Sequence, residues 1–571
     1  MRFWKGFRIL RSGKAPPTWV GRYRRYVYAF SLLALLFIIL ESGLRWQLPP
    51  FLVLVSVATD YGVFFTFLLD AILTFYFTYP KVNYFRRNWF DLLVFFPLVL
   101  SLISIRVGAG LIVVRHLVVL IQVFTRTRKF ANLLRGIRLN AARVVVLSFA
   151  SVILVGTILL TFPTATHDGV GTGFVDALFT ATSATCVTGL IVQDTPTYFT
   201  YFGQMVILVL IQLGGLGIMA YSAFLAILLG RFTLGQRAMV QEMLEEEKNV
   251  LRMVFYIFKM TFLVELFGAL VLSARWLFYF DAPAKALYYS VFHSVSAFCN
   301  AGFSLFSDSL SSFVSDSVVN VVIMSLIILG GFGFIVVYEI TRKVRDPAGQ
   351  LSTHTRLVLT MSALLTATGF LTIFFFEFDG ALLNHPLGAK VWASLFQAVT
   401  PRTAGFNTIL ISSLSPVTLC AIVILMFLGA SPGSTGGGIK TTTSAILLLS
   451  LRSILKGKQD IEVFGRTIPS SIVYRAVGLL VGALLLLGST FLLLLVFEHK
   501  PFLPLLFEAV SAFGTVGLST GITSDLTTVG KFVIIVLMFG GRIGPLTLAI
   551  AMTRRMKRGK VVYPEARVIV G

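Results

Sequence analysis

Four stretches of this chain follow one pattern: a short apolar segment, a small or polar pair, then glycine and a large apolar residue. They are Val187-Thr188-Gly189-Leu190, Asn300-Ala301-Gly302-Phe303, Thr403-Ala404-Gly405-Phe406 and Thr515-Val516-Gly517-Leu518. Their glycines stand 113, 103 and 112 residues apart, and each turn lies between two long apolar runs. The unit is therefore helix, re-entrant helix, glycine turn, helix, repeated four times in parallel. The re-entrant segments fall near 176–186, 286–299, 388–400 and 503–514. They are too short to cross a bilayer and too apolar for ordinary loops.

The remaining sequence names the solvent. Of 571 residues 56% are apolar and 13% charged, about half the charged share of a soluble domain. The mean hydropathy is +0.88. A soluble enzyme and a disordered scaffold are excluded; the fold class expected is all-α integral membrane. Crossings are predicted near 26–43, 52–78, 89–105, 107–125, 143–162, 201–230, 251–280, 317–341, 356–378, 414–452, 470–497 and 528–553. The net charge of +23 sits in clusters at 1–25, 126–143 and 554–560, whereas 163–200 holds no Lys or Arg. Twelve crossings with both termini cytoplasmic put every cluster inside and all four re-entrant segments outside. No basic face for nucleic acid is left over. The cysteines Cys186, Cys299 and Cys420 read as free buried thiols. The six histidines show no metal-ligand spacing, so no enzyme is expected.

Irregular backbone at membrane depth is tolerated only inside protein or along water. Four such loops on one side converge on a central axis. Glycine there admits dihedrals that turn carbonyls inward, and a ring of carbonyls replaces the hydration shell of a potassium ion. The re-entrant helices aim their C-terminal partial negative charge at the same axis, which favours a cation.

The motifs TSATCVTGL (182–190), FCNAGFSLF (298–306), TPRTAGFNT (400–408), GASPGSTGGGIKTTT (429–443) and SAFGTVGLSTGIT (511–523) resemble the Trk/Ktr/HKT superfamily of potassium transporters over roughly 143–560. The resemblance implies a pseudo-fourfold pore within one subunit and a filter made by Thr185, Cys186, Val187, Thr188 and Gly189, by Asn300, Ala301 and Gly302, by Thr403, Ala404 and Gly405, and by Thr515, Val516 and Gly517. It implies potassium as the transported ion with no organic cofactor on this chain. It also implies a homodimer and a separate cytosolic nucleotide-binding regulatory subunit. In that superfamily a serine at the first filter position accompanies sodium permeation, and Gly189 stands there here.

Pore repeats are expected at 143–230, 251–341, 356–452 and 470–553. The third departs from the others. Its second span is interrupted by 429–438, with Pro432 and five glycines that cannot hold a helix. This segment resembles the intramembrane loop under the filter in the family. Gly433, Gly436, Gly437, Gly438 and Lys440 are read as a gate over 429–440. The spacing of Gly433, Gly438 and Lys440 superficially suggests a phosphate loop, but Ile439 intervenes and the flanks are membranous. Arg542 in the last span is a functional hypothesis by its depth; by resemblance it faces the gating loop. Arg402, just before the third turn, is expected to point away and brace it. Gly214-Gly215-Leu216-Gly217 and Gly330-Gly331-Phe332-Gly333 read equally as packing or hinge.

Residues 1–25 form a basic cytoplasmic N-terminus, 126–142 a basic cytoplasmic linker and 554–571 a cytoplasmic tail. Residues 26–125, with Asp70, Asn88-Trp89-Phe90-Asp91, Arg106 and Arg115, resemble a voltage-sensor-like four-helix bundle. Two arginines in its fourth helix are too few for steep voltage dependence, so a structural or regulatory bundle is preferred. The function expected is potassium uptake across the plasma (inner) membrane, gated by an intramembrane loop. The alternatives are a cation symporter coupled to sodium or protons and a non-transporting sensor on the same scaffold. An alternating-access transporter would show an inverted two-part repeat instead.

Overall fold

The computed structural model describes residues 141–228, 250–458 and 460–552, together with Phe51 and Val55. The expected N-terminal bundle, linker and tail lie outside the described residues. Within them the helices run in four successive sets. The first is α1 (Ala141–Leu160), α2 (Phe174–Thr185) and α3 (Tyr201–Leu228); the second is α4 (Val250–Trp276), α5 (Pro283–Phe298), α6 (Ser317–Phe332) and α7 (Phe334–Arg345). The third is α8 (Thr353–Glu377), α9 (Leu387–Val399), α10 (Pro416–Phe427) and α11 (Thr441–Leu455); the fourth is α12 (Ser470–Phe497), α13 (Phe502–Gly514), α14 (Thr528–Ile543) and α15 (Pro545–Met552). A small antiparallel hairpin, β1 (Ile461–Val463) with β2 (Arg466–Ile468), joins the last two sets.

The short helices α2, α5, α9 and α13 form the middle of the molecule. Each buries a phenylalanine completely: Phe179, Phe292, Phe396 and Phe507. The long helices surround them and turn apolar side chains outward. Phe262, Phe267, Phe375, Leu485 and Val496 are each at least 63% exposed, a surface suited to lipid rather than water. Helices Tyr256–Trp276, Thr353–Glu377 and Ser470–Phe497 are long and apolar enough to cross a membrane.

The second span of every set is broken, not the third alone. α6 and α7 meet at 105° and α14 and α15 at 95°, hinged on Gly333 (φ 90°) and Gly544 (φ 88°). α3 is interrupted at Gly217 (φ 72°, ψ −177°). The continuous crossings expected over 317–341 and 528–553 are corrected accordingly. A lone glycine in an apolar run reads as a packing residue. Here it adopts a left-handed backbone that other residues avoid. Arg542 therefore stands two residues before a bend at Gly544 rather than within one continuous crossing. A second correction concerns the thiols: Cys186 and Cys299 are buried, but Cys420 on α10 is exposed.

At the opposite end the two spans of each set are clasped. Arg275 at the end of α4 pairs with Asp316, the N-cap of α6, at 2.8 Å. Glu377 at the end of α8 accepts from the Ser415 N–H (2.9 Å) and hydroxyl (2.6 Å) before α10. Glu498 after α12 accepts from the Thr527 N–H (2.9 Å) and hydroxyl (2.7 Å) before α14. In the first set the Thr200 hydroxyl donates to the Thr164 carbonyl at 2.6 Å. Ser415 and Thr527 also cap the helices they precede, accepting from Thr418 N–H and Gly530 N–H.

Candidate functional site

The four turns repeat one backbone. Val187, Asn300, Thr403 and Thr515 stand two residues before their glycines with φ of 58°, 60°, 77° and 50°. The glycines Gly189, Gly302, Gly405 and Gly517 follow with φ of 92°, 71°, 80° and 90°. Left-handed conformation at a non-glycine residue is uncommon, and its recurrence at one register in four turns marks an imposed geometry. The turns also touch in cyclic order. A methyl carbon on Gly189 would lie 2.5 Å from the Ala301 carbonyl oxygen, one on Gly302 2.9 Å from that of Ala404, and one on Gly405 2.5 Å from that of Val516. On Gly517 it would run into the Thr188 carbonyl, which closes the ring. The four turn glycines and the residues that precede them thus come together in one ring. The ten non-glycine residues among the expected filter residues are all 0% exposed.

A hydroxyl on each short helix braces its own turn. The Gly189 and Gly517 N–H groups each donate at 3.1 Å to Ser183 and Ser511. The Ser296 hydroxyl donates to the Phe303 carbonyl (2.8 Å) and the Thr400 hydroxyl to that of Phe406 (2.5 Å). These four hydroxyls stand four residues after the buried phenylalanines. Aligning the short helices with one another, not only the glycines, would have found them. Gly214, Gly330 and Gly541 on the second spans press against the carbonyls that end the short helices, at Thr185, Phe298 and Phe513, where a methyl group would collide. Packing and hinge are therefore both correct for the glycine clusters: the first glycine packs, the last bends. Arg402 is buried and donates to the Ser362 hydroxyl on α8 at 2.7 Å. That matches the expectation that it braces the loop.

The interrupted segment 428–440 lies against the end of the turns where the short helices finish. Gly436 and Gly437 abut the hydroxyls of Thr403 and Thr515 so closely that a methyl group on either would collide. Hydrogen bonds tie the segment to the second set: Ser431 N–H to the Gly331 carbonyl (3.1 Å), Thr435 N–H to Gly330 (3.2 Å) and Phe334 N–H to Gly433 (3.1 Å). Gly438 N–H reaches the Gly541 carbonyl of the fourth set at 3.3 Å. Arg542 donates to the carbonyls of Thr435 and Gly214, which links the loop to the first set as well. Lys440 folds back on the loop, its ammonium donating to the Gly436 (2.6 Å) and Gly437 (3.4 Å) carbonyls. Thr435 was not anticipated from sequence. It is the residue that meets both Arg542 and, through its hydroxyl, the Phe298 carbonyl at 3.3 Å.

Residues 113–563 match the family model described as TrkH, cation transport protein. The chain belongs to the TrkH family. Its similarity to relatives within reach of this family is broad. It is 41% identical over 445 residues to the Ktr system potassium uptake protein B of Bacillus subtilis, covering 77% of this chain and 99% of that one. It is 38% identical over 444 residues to the potassium/sodium uptake protein NtpJ of Enterococcus hirae, covering 76% and 98%. Among solved structures, the potassium transporter TrkH from Vibrio parahaemolyticus superposes with a TM-score of 0.61 at 19% identity, over 81% of this chain and 96% of that one. The TrkH fold is therefore shared, although few side chains are.

Proposed function

We propose that this TrkH-family chain conducts potassium inward through a selectivity filter of backbone carbonyls at the ring of glycine turns. The observation that carries this reading is the closed ring itself, in which the carbonyls of Thr188, Ala301, Ala404 and Val516 each lie beside the glycine of the preceding set in the cycle. Left-handed residues alternating with ordinary ones turn successive carbonyls to one side. Carbonyls held so replace a cation's hydration shell. Relatives named as potassium uptake proteins match nearly their whole length. The four helix sets act as four pore repeats around one axis, and the membrane potential supplies the driving force. The loop 429–440, held by Arg542 and Lys440, is the gate beneath the filter. Both termini lie on the cytoplasmic side of the inner membrane. The pore subunit works as a homodimer and takes its regulation from a separate nucleotide-binding subunit.

The relative named as a potassium/sodium uptake protein favours a second reading, in which sodium passes too. One experiment separates them. Wild type and Gly189→Ser are expressed in cells without potassium uptake systems, and low-potassium growth and rubidium uptake are followed with and without sodium. Potassium uptake by the wild type that sodium does not block, with preference lost in Gly189→Ser, is the expected result. A wild type that takes up both ions equally supports the second reading. A wild type that takes up neither refutes both.

A further inference from the structure

We propose that His293 and Glu508 are positioning residues for the outer mouth of the filter. Each fixes the serine that stands two residues beyond its filter glycine. The inference rests on reading the glycine turns as that filter. On every short helix the residue after the buried phenylalanine is polar: Thr180, His293, Gln397 and Glu508. All four are buried, at 2% exposure or less. Only two of them reach a loop. The Glu508 carboxyl accepts from the Ser519 hydroxyl (2.5 Å), the Thr520 N–H (3.1 Å) and the Thr523 hydroxyl (2.8 Å). His293 Nδ1 lies 2.8 Å from the Tyr289 carbonyl and so carries the proton. Its Nε2 is left as an acceptor, facing the Ser304 hydroxyl at 3.0 Å and the Leu305 N–H at 3.3 Å. The Thr180 hydroxyl and both side-chain polar atoms of Gln397 have no partner among the described residues.

The other two loops hang on the one His293 holds. The Ser307 hydroxyl donates to Asp194 of the first set at 2.7 Å. The Asn407 N–H of the third set donates to the Ser309 hydroxyl at 3.2 Å, and the Leu310 N–H to the Asn407 carbonyl at 3.0 Å. His293 thus holds one loop directly and two more lean on it, the first of these also tied by Gln193 to Asp176 on its own short helix at 3.4 Å, while Glu508 holds the fourth. A carbonyl filter discriminates between cations only while its oxygens are held in place, and these anchors act on the segment that leaves each filter glycine.

The test measures rubidium and sodium uptake by the full chain in cells without potassium uptake systems, with membrane abundance followed alongside. His293→Leu and Glu508→Leu lose preference for rubidium over sodium by roughly fivefold each, the scale of one net hydrogen bond. Maximal uptake changes less than preference does. Ser304→Ala and Ser519→Ala remove the other end of each bond with little change in volume. They move preference in the same direction and decide the matter if the leucine variants do not reach the membrane. Glu508→Gln keeps an acceptor oxygen and recovers part of the preference. Thr180→Val and Gln397→Leu, at the equivalent positions, stay within about twofold of wild type because no bond is lost. Abundant serine variants as selective as wild type would overturn the positioning role, as would a loss in Thr180→Val equal to that in His293→Leu. A wild type that does not discriminate at all would overturn the filter reading instead, and the two failures are told apart by that control.

Discussion

Replacing each filter glycine by alanine should give four different defects, in an order set by the ring. All four positions have positive φ, so every variant carries the left-handed cost of about 1–2 kcal/mol. The added methyl group then separates them. At Gly302 it meets the Ala404 carbonyl oxygen at 2.9 Å; at Gly189 and Gly405 the approach to Ala301 and Val516 is 2.5 Å; at Gly517 it is closer still. Ordinary contact lies near ~3.5 Å, so the neighbouring carbonyl must yield by roughly half an ångström in the mildest case and over 1 Å in the worst. The displaced oxygen is itself a proposed ion ligand. Preference for potassium over sodium should fall least in Gly302→Ala, more in Gly189→Ala and Gly405→Ala, and most in Gly517→Ala. The span should be at least tenfold, since about 1.4 kcal/mol corresponds to each factor of ten. Rubidium uptake in competition with sodium, normalised to membrane abundance, reads the order. Equal defects in all four, or wild-type preference in Gly517→Ala, would refute the argument that the glycines are needed for the carbonyls they face.

Further predictions concern the gate and the clasps. Arg542→Ala removes charge-assisted bonds to the Thr435 and Gly214 carbonyls, each on the scale of 1.5–3 kcal/mol, roughly. It should raise rubidium uptake while leaving ion preference unchanged. Gly437→Ala cannot seat against Thr515 and should raise uptake in the same way, in the same assay. Glu498→Ala leaves the Thr527 N–H and hydroxyl without their acceptor and should lower thermal stability in detergent by about 1–3 kcal/mol. Burial pushes the Asp316 carboxyl up, but bonds from Arg275, the Val319 N–H and Tyr279 more than offset this and hold it below its ordinary value. A depressed carboxyl stabilises the fold at neutral pH, and that share is lost as pH falls through the acid range below the ordinary value. Asp316→Asn should therefore flatten the acid limb of a melting-temperature profile. A lipid-permeant thiol reagent should label Cys420 and spare Cys186 and Cys299 in the folded protein, with mass spectrometry as the readout.

Much of this was legible in sequence because one pattern recurred four times. Within the described residues the spans and short helices read from the chain match the helices to within a few residues, apart from the breaks, and the four glycines of the repeat meet in one ring. The breaks at Gly217, Gly333 and Gly544 were not legible. Sequence shows that glycine permits a bend, but φ near +90° is chosen by what packs around it. The interruption at 429–438 was visible only because proline and five glycines exclude a helix on their own. The role of Thr435 was hidden for a different reason: its partners, Phe298 and Arg542, are more than 100 residues away. Cys420 misled because an apolar neighbourhood in sequence does not distinguish a face turned to protein from one turned to lipid. The anchors at His293 and Glu508 needed two registers at once, the phenylalanine before them and the glycine after the turn.

The clasps and the glycine breaks divide each helix set mechanically. At the end opposite the glycine breaks the two spans are pinned together by Arg275–Asp316, Glu377–Ser415 and Glu498–Thr527. Past the ring, α7 and α15 each join their set through one glycine of positive φ, Gly333 and Gly544. On the proposed reading, a pull on α15 turns at Gly544, whereas one on α7 also reaches the 429–440 loop through the Phe334 N–H bond to Gly433. The rim behaves as a rigid collar and the legs as levers. If the ring is the filter and the loop the gate, as proposed, a load on the legs alters flow more than it alters discrimination between ions.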